Sequence, residues 1–375
     1  MRIPFNRPSF TGHEKKYLLD AVERGHISGG GYYTRCCEQF LARELGVHRA
    51  LLTTSCTDAL EMVALLLDIQ PGDEVIVPSY TFTSTANAFS LRGAHIIFAD
   101  IRPDTMNLDE KKWMQKISAR TKAVVAVHYA GVGCDMDDII SVAAQHGVKV
   151  VEDNAHGLFG SYRGRPLGTM GILATQSFHE TKNFNCGEGG ALLINDQELV
   201  ERAEILLEKG TNRQQFFRGM VDKYTWVDLG SSYVLADALA AVLYAQFEQR
   251  HDIMSARKAI WSRYDQQLAA WAHARGVQRP FVPEYCQQAY HMYYLIFQDM
   301  ETRQRFFKHL ADHDIMSVFH YIPLHLSPMG KKYGARPGDC PVAEKMSDRL
   351  ARLPFYSTLS EADQEKVIST ILSFK

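Results

Sequence analysis

The apolar positions of the chain follow two periods. Short runs rich in Val, Ile and Ala recur at Glu74–Val77, His95–Ala99, Ala123–His128 and Val148–Glu152. Each is too short for a helix and β-rich enough for a buried strand. Between and around them the spacing turns helical. Residues 34–46 read as a helix ended by Gly46, because glycine readily takes the left-handed conformation that terminates helices. Thr57–Ile69 is apolar enough for a largely buried helix, and Pro71-Gly72-Asp73 then marks a turn. Met136–Gln145 has helical spacing, and two more strand patterns, Thr175–His179 and Ala191–Ile194, flank the glycine-rich turn Gly187–Gly190. Strands alternating with helices predict βαβ units, hence an α/β fold with a mostly parallel central sheet.

Past Tyr233 the pattern changes. One long helix is predicted over Ala236–Tyr264, then an aromatic strand at His291–Phe297, a helix at Thr302–Asp312 and a proline-containing stretch at Tyr321–Pro328. The chain of 375 residues has length enough for two domains. The change of pattern divides it into an N-terminal segment with a large domain, residues 1–245, and a smaller C-terminal α+β domain, residues 246–375.

Composition narrows the function. The chain is 46% hydrophobic and 22% charged, as ordinary globular proteins are. A net charge of −2 gives no footprint for nucleic acid. No apolar run approaches the roughly 20 residues that span a bilayer, and Met1–Asn6 has no signal-peptide core. Seven cysteines without CxxC spacing predict neither a disulfide framework nor a metal site, and so a reducing compartment. A cytoplasmic protein with no membrane or nucleic-acid partner is expected.

In open α/β sheets chemistry gathers at the carboxyl ends of the strands. Five candidate groups are read along the chain. Ser55-Cys56-Thr57 enters a buried helix, where free N–H groups and the helix dipole favour a phosphate, although Ser55 and Asp58 also resemble a capping box. Phe82, after a strand and Pro78, could stack on a planar ring or fill the core. Asp153 ends a strand and could pair with a pyridinium nitrogen, making the ring an electron sink, or cap a turn. His156 could lie beside a phenolic oxygen or be a satisfied core histidine. Ser177 and Lys182 follow, five residues apart and just before the glycine turn. A lone lysine there is usually a surface residue. The order of the set, phosphate helix, stacking aromatic, ring-nitrogen aspartate, then serine and lysine, is what gives each member its meaning.

That order resembles the sugar aminotransferases of the DegT/DnrJ/EryC1/StrS family. The resemblance runs from Gly29-Gly30-Gly31 to Leu353-Pro354 and rests on Ser55-x-Thr57-x-Ala59-Leu60, Val127-His128 with Gly131, Glu152-Asp153, and Ser177-Phe178-His179 with Lys182 and Gly187-Glu188-Gly189-Gly190. It implies fold-type I (aspartate aminotransferase-like) architecture and pyridoxal 5'-phosphate (PLP). Lys182 would hold the cofactor covalently, Asp153 would pair with its ring nitrogen, Phe82 would stack on it and His156 would lie beside its phenolic oxygen. Ser177, Ser55 and the backbone of Cys56 and Thr57 would hold its phosphate. A homodimer with shared active sites is implied as well.

The strings Lys209–Arg213, Phe216–Gly219, Val221–Trp226 and Phe319–His325 resemble a branch of the family that aminates dTDP-4-keto-6-deoxy-D-glucose with glutamate. That branch yields dTDP-4-amino-4,6-dideoxy-D-galactose and 2-oxoglutarate for cell-surface polysaccharides such as enterobacterial common antigen. The 4-amino-4,6-dideoxyglucose isomer and a non-catalytic nucleotide-sugar binder are the alternatives. His320 and His325 are implied on the substrate side. Many relatives carry Gly-x-Asn-Tyr-Arg where this chain has Gly230-Ser231-Ser232-Tyr233-Val234. Ser232 is shorter than the asparagine that reaches the partner's cofactor phosphate. The missing arginine leaves Arg213, Arg218 and Lys223 as candidates for diphosphate or donor carboxylate. A sugar dehydratase of this scaffold would carry histidine in place of Lys182, and a dinucleotide oxidoreductase would want GxGxxG, whose spacing Gly29–Gly31 lacks.

Overall fold

Strands covered by helices on both faces read as continuous apolar runs, and those runs pair side by side in the structure. The computed structural model describes residues 2–375. Its main sheet comprises β1 (Arg49–Thr53), β2 (Glu74–Pro78), β3 (His95–Ala99), β4 (Thr121–Val127), β5 (Lys149–Asp153), β6 (Leu173–Ser177) and β7 (Gly190–Ile194). The spatial order is β1-β7-β6-β5-β4-β2-β3. Strands β3, β2, β4, β5 and β6 pair in parallel, and β7 runs antiparallel to both β6 and β1. The second predicted strand, His95–Ala99, matches β3 end for end, and the others differ by one or two residues at an end. The pattern had not disclosed β1, whose Arg-Ala-Leu-Leu-Thr follows too soon after the turn at Gly46 to stand out.

The helices of this part include α1 (Glu14–Glu23), α2 (Tyr32–Leu45), α3 (Cys56–Leu66), α4 (Thr83–Ser90), α5 (Met136–His146) and α6 (Asp237–Glu248). Gly46 does cap α2, with φ at 73° and its N–H bonded to the carbonyl of Ala42. The predicted single helix over Ala236–Tyr264 is a correction. The chain breaks at Gln249 into α6 and α7 (Arg250–Ala274). The cause is a change of partner: Ala240, Ala241, Leu243 and Phe247 join the core of α2 and β7, whereas Ile260, Tyr264 and Leu268 of α7 join a separate C-terminal core.

That second core packs α7 with β8 (Tyr294–Ile296), α8 (Met300–Asp312), β9 (Leu350–Arg352) and α9 (Glu361–Ser373). Strands β8 and β9 pair antiparallel. The start of the chain closes this unit. Ile3 lies in its core and bridges Ile315, and the N–H of Phe355 donates to the carbonyl of Phe5 at 3.1 Å. Among the described residues no helix is long and apolar enough to cross a membrane.

Candidate active site

A cavity of about 560 Å³ opens at the carboxyl ends of β4, β5 and β6, between the main sheet and the C-terminal unit. Its first wall is the start of α3. The Ser55 Oγ accepts from the N–H of Asp58 at 3.1 Å, so the capping reading holds. The N–H groups of the first helical turn still lack helical partners, and Cys56 and Thr57 line the cavity. Gly190 of β7 makes this geometry attainable: a Cβ there would lie 2.3 Å from the Ser55 carbonyl carbon and 2.4 Å from the Cys56 nitrogen.

Asp153 ends β5 and is 5% exposed. Its Oδ2 accepts from the Thr85 hydroxyl at 2.7 Å and its Oδ1 from the N–H of Ala155 at 3.2 Å. It has no ion-pair partner among the described residues. A buried carboxylate facing a cavity without a countercharge suits a cationic ligand group.

Lys182 lines the same cavity, on a turn whose N–H bonds to the His179 carbonyl at 2.9 Å. Enclosure pulls its ammonium down to about 8, against the opposing pull of Cys56 and Asp153. Ser177, at the end of β6, lines the cavity as well. Phe82 is the residue before α4 and stands 58% exposed at the mouth, its ring centre 6.4 Å from that of Tyr321.

Three imidazoles, those of His156, His291 and His320, also line the cavity. The His156 ring stacks on that of His291 at 4.2 Å, and His320 lies 6.0 Å from His156. Burial holds all three well below the usual histidine range, so they are neutral at pH 7. The Nδ1 of His291 donates to Oδ1 of Asn183 at 2.9 Å, and the Tyr129 hydroxyl donates to Nδ1 of His320 at 2.6 Å. Nδ1 of His156 and Oγ1 of Thr175 are buried without a partner. Unpaired polar atoms beside an enclosed amine and a solitary carboxylate are the marks of a site built for a polar ring.

The sequence profile described as the DegT/DnrJ/EryC1/StrS aminotransferase family matches residues 8–372. The chain belongs to that family. The spore coat polysaccharide biosynthesis protein SpsC of Bacillus subtilis (strain 168) is 33% identical over 98% of this chain and 96% of its own length. A GDP-perosamine synthase of Caulobacter vibrioides is 32% identical over 99% of this chain and 97% of its own. Among solved structures, the PMP-form of the putative sugar aminotransferase Spr1654 from Streptococcus pneumoniae superposes with a TM-score of 0.92 at 27% identity, over 100% of this chain and 98% of that one. The architecture is therefore that of the fold-type I aminotransferases in this family.

Against the family pattern, the residues expected to bind the cofactor converge, with one exception. Ser55, Cys56, Thr57, Phe82, Asp153, His156, Ser177 and Lys182 all line the cavity, as does His320. Ser232 does not; it is exposed and pairs through its backbone with Glu208. Arg213 lies 3.9 Å from Glu208, and Arg218 pairs with Glu204 at 2.7 Å, both away from the cavity. Lys223 is exposed on the same loop. His325 is fully buried elsewhere, between the Ser79 Oγ at 2.5 Å and Glu344 at 2.9 Å, where it ties the end of β2 to the C-terminal unit.

The structure adds Thr85, His291 and Arg352 to the lining. Thr85 carries no sequence signal that sets it apart, and His291 is only the start of the predicted aromatic strand. Arg352 directly precedes Leu353-Pro354, the last residues of the family resemblance.

Proposed function

We propose that this family member is a PLP-dependent transaminase that aminates dTDP-4-keto-6-deoxy-D-glucose with glutamate, giving dTDP-4-amino-4,6-dideoxy-D-galactose and 2-oxoglutarate. The observation that carries the cofactor and reaction class is one cavity holding an enclosed lysine, an unpaired aspartate and the free start of α3. The choice of sugar rests on the strings at residues 209–226 and 319–325; the relatives named GDP-perosamine synthase make a GDP-linked keto-sugar the competing substrate.

The residues present fit PLP. The start of α3 with Ser177 suits its phosphate, Asp153 its ring nitrogen, His156 its phenolic oxygen and Phe82 its ring face. Bound there, PLP supplies a carbonyl that accepts and returns the amino group and a ring that stores an electron pair. Lys182 anchors through Nζ and, when that amine is released, takes a proton from the donor carbon and returns one to the acceptor. An amine titrating near 8 is neutral often enough for the first task and protonated often enough for the second. Asp153, fixed by Thr85 and Ala155, keeps a proton on the atom that it faces. Ser232, on its exposed loop, would act across a homodimer interface, as would the basic residues Arg213, Arg218 and Lys223.

The test is to incubate the protein with PLP, L-glutamate and the dTDP-keto-sugar and identify the product by mass spectrometry and NMR, with Lys182→Ala alongside. An axial amine at C4, absent with the variant, is the expected result. An equatorial amine would move the product to the glucose isomer. Turnover of a GDP-linked keto-sugar alone would replace the carrier. Failure to take up PLP would overturn the reading.

A further inference from the structure

His291 stands just before β8, on a segment fixed from three sides. Tyr290 has φ at 50°, a left-handed conformation that a bulky side chain resists. Arg257 of α7 is 3% exposed, and burial alone pulls its guanidinium down to about 9. Its Nε donates to the Tyr290 carbonyl at 2.9 Å and its Nη2 to the His291 carbonyl at 2.6 Å. From a second side, the N–H of Ala289 donates to the Gly131 carbonyl at 2.9 Å. A Cβ on Gly131 would lie 2.9 Å from both the Ala289 Cβ and the His156 carbonyl oxygen, so glycine lets the two segments meet. Asn183, the neighbour of Lys182, holds the third side: its Nδ2 donates to the Ala289 carbonyl at 2.6 Å. With Nδ2 so committed, Oδ1 is the atom that faces His291, and the imidazole carries its proton on Nδ1. Strained backbone and a buried guanidinium are both costly, and they persist where the surrounding structure over-determines them.

What the three sides fix is the plane of a ring. The His291 imidazole lies against that of His156, 4.2 Å between centres and 15° between planes. His320 and Tyr129 stand farther from His156, at 6.0 and 6.1 Å. Nδ1 of His156 is buried without a partner, so no hydrogen bond at that atom orients the ring. Burial, reinforced by the positive charges of Lys182 and Arg352, keeps both imidazoles neutral, and they stack without repulsion. A hydrogen bond weakens steeply as it is misdirected, so an imidazole that is to meet a ligand oxygen needs its plane set beforehand.

We infer that His291 is a positioning residue for the cofactor: it sets the plane of His156 so that His156 meets the phenolic oxygen of PLP in line. The inference rests on the transaminase reading above. His291 acts through its neighbour, and Arg257 and Asn183 act through His291.

The experiment titrates cofactor-free wild type, His291→Ala, His291→Phe, His156→Ala and the double variant with two probes. One is PLP; the other is 3-deoxypyridoxal 5'-phosphate, which lacks the phenolic oxygen and keeps the rest. Binding is read from the absorbance of the lysine-bound probe, without turnover. His291→Ala is expected to weaken PLP on the order of 10-fold and to leave the deoxy probe unchanged. Added to His156→Ala it should weaken PLP no further, because the two residues act as one unit. His291→Phe should fall between, since it keeps a flat ring against His156 and loses the bond to Asn183. It is also the reading variant if His291→Ala fails to fold. Equal weakening of both probes would make His291 a general support of the fold and overturn the inference. Additive losses in the double variant, or unchanged PLP affinity in a folded single variant, would overturn it as well. If wild type binds neither probe, the transaminase reading has failed and this inference with it.

Discussion

A lysine amine in water is charged at neutral pH and cannot attack a carbonyl. Enclosure brings Lys182 from 10.5 to about 8. Covalent uptake of PLP by the cofactor-free protein should therefore accelerate as pH rises through about 8 and level off above it, rather than climbing towards 10.5; stopped-flow absorbance reads this directly. Thr85 makes a second prediction. Thr85→Val keeps the shape and removes the hydroxyl that donates to buried Asp153, so the cofactor-free protein should lose ~1.5–3 kcal/mol in urea unfolding. Lys182, Asp153 and Ser177 were legible in the sequence because each lies at or just after a strand end, and the order of such ends is local information. Thr85 and Arg352 were not. The first acquires its role from Asp153, 68 residues farther along the chain, and the second its place from the packing of the C-terminal unit over the cavity, which only the assembled fold can reveal.

Elements were legible where one period ran unbroken. Strand β3 emerged with both its ends because polar His95 opens it and Asp100 follows it, and α2 ended at a glycine whose φ is positive. The long helix past Ala236 misled because α6 and α7 both carry helical spacing. What divides them at Gln249 is the choice between two cores, and that choice has no local signature. The meeting of α3 and β7 is likewise invisible until both are in place. Gly190→Ala would drive a methyl into backbone atoms of Ser55 and Cys56, which cannot swing aside as a side chain can. The helix start would shift, and PLP affinity should fall on the order of 10-fold or more, measured by equilibrium titration, with far-UV circular dichroism little changed.

At the scale of the molecule, exposed apolar side chains concentrate between Phe216 and Leu229, where Trp226 is 74% exposed and Phe217 and Met220 more than half so. A surface of that kind is usually covered by another protein surface. This supports the proposed homodimer, which should appear in sedimentation velocity and dissociate towards monomer with Trp226→Glu. The two-domain division expected at residue 246 falls inside α6, two residues before its end, so the division that we propose is drawn better at the break at Gln249.

The seating of Ile3 and Phe5 against Ile315, Arg352 and Phe355 has a consequence for biosynthesis. A ribosome delivers the first of these residues long before the last, so the opening segment must wait, unburied, through almost the whole of translation. Only once Arg352 has left the ribosome can its guanidinium acquire that cover. An affinity tag fused ahead of Ile3 would burden that closure.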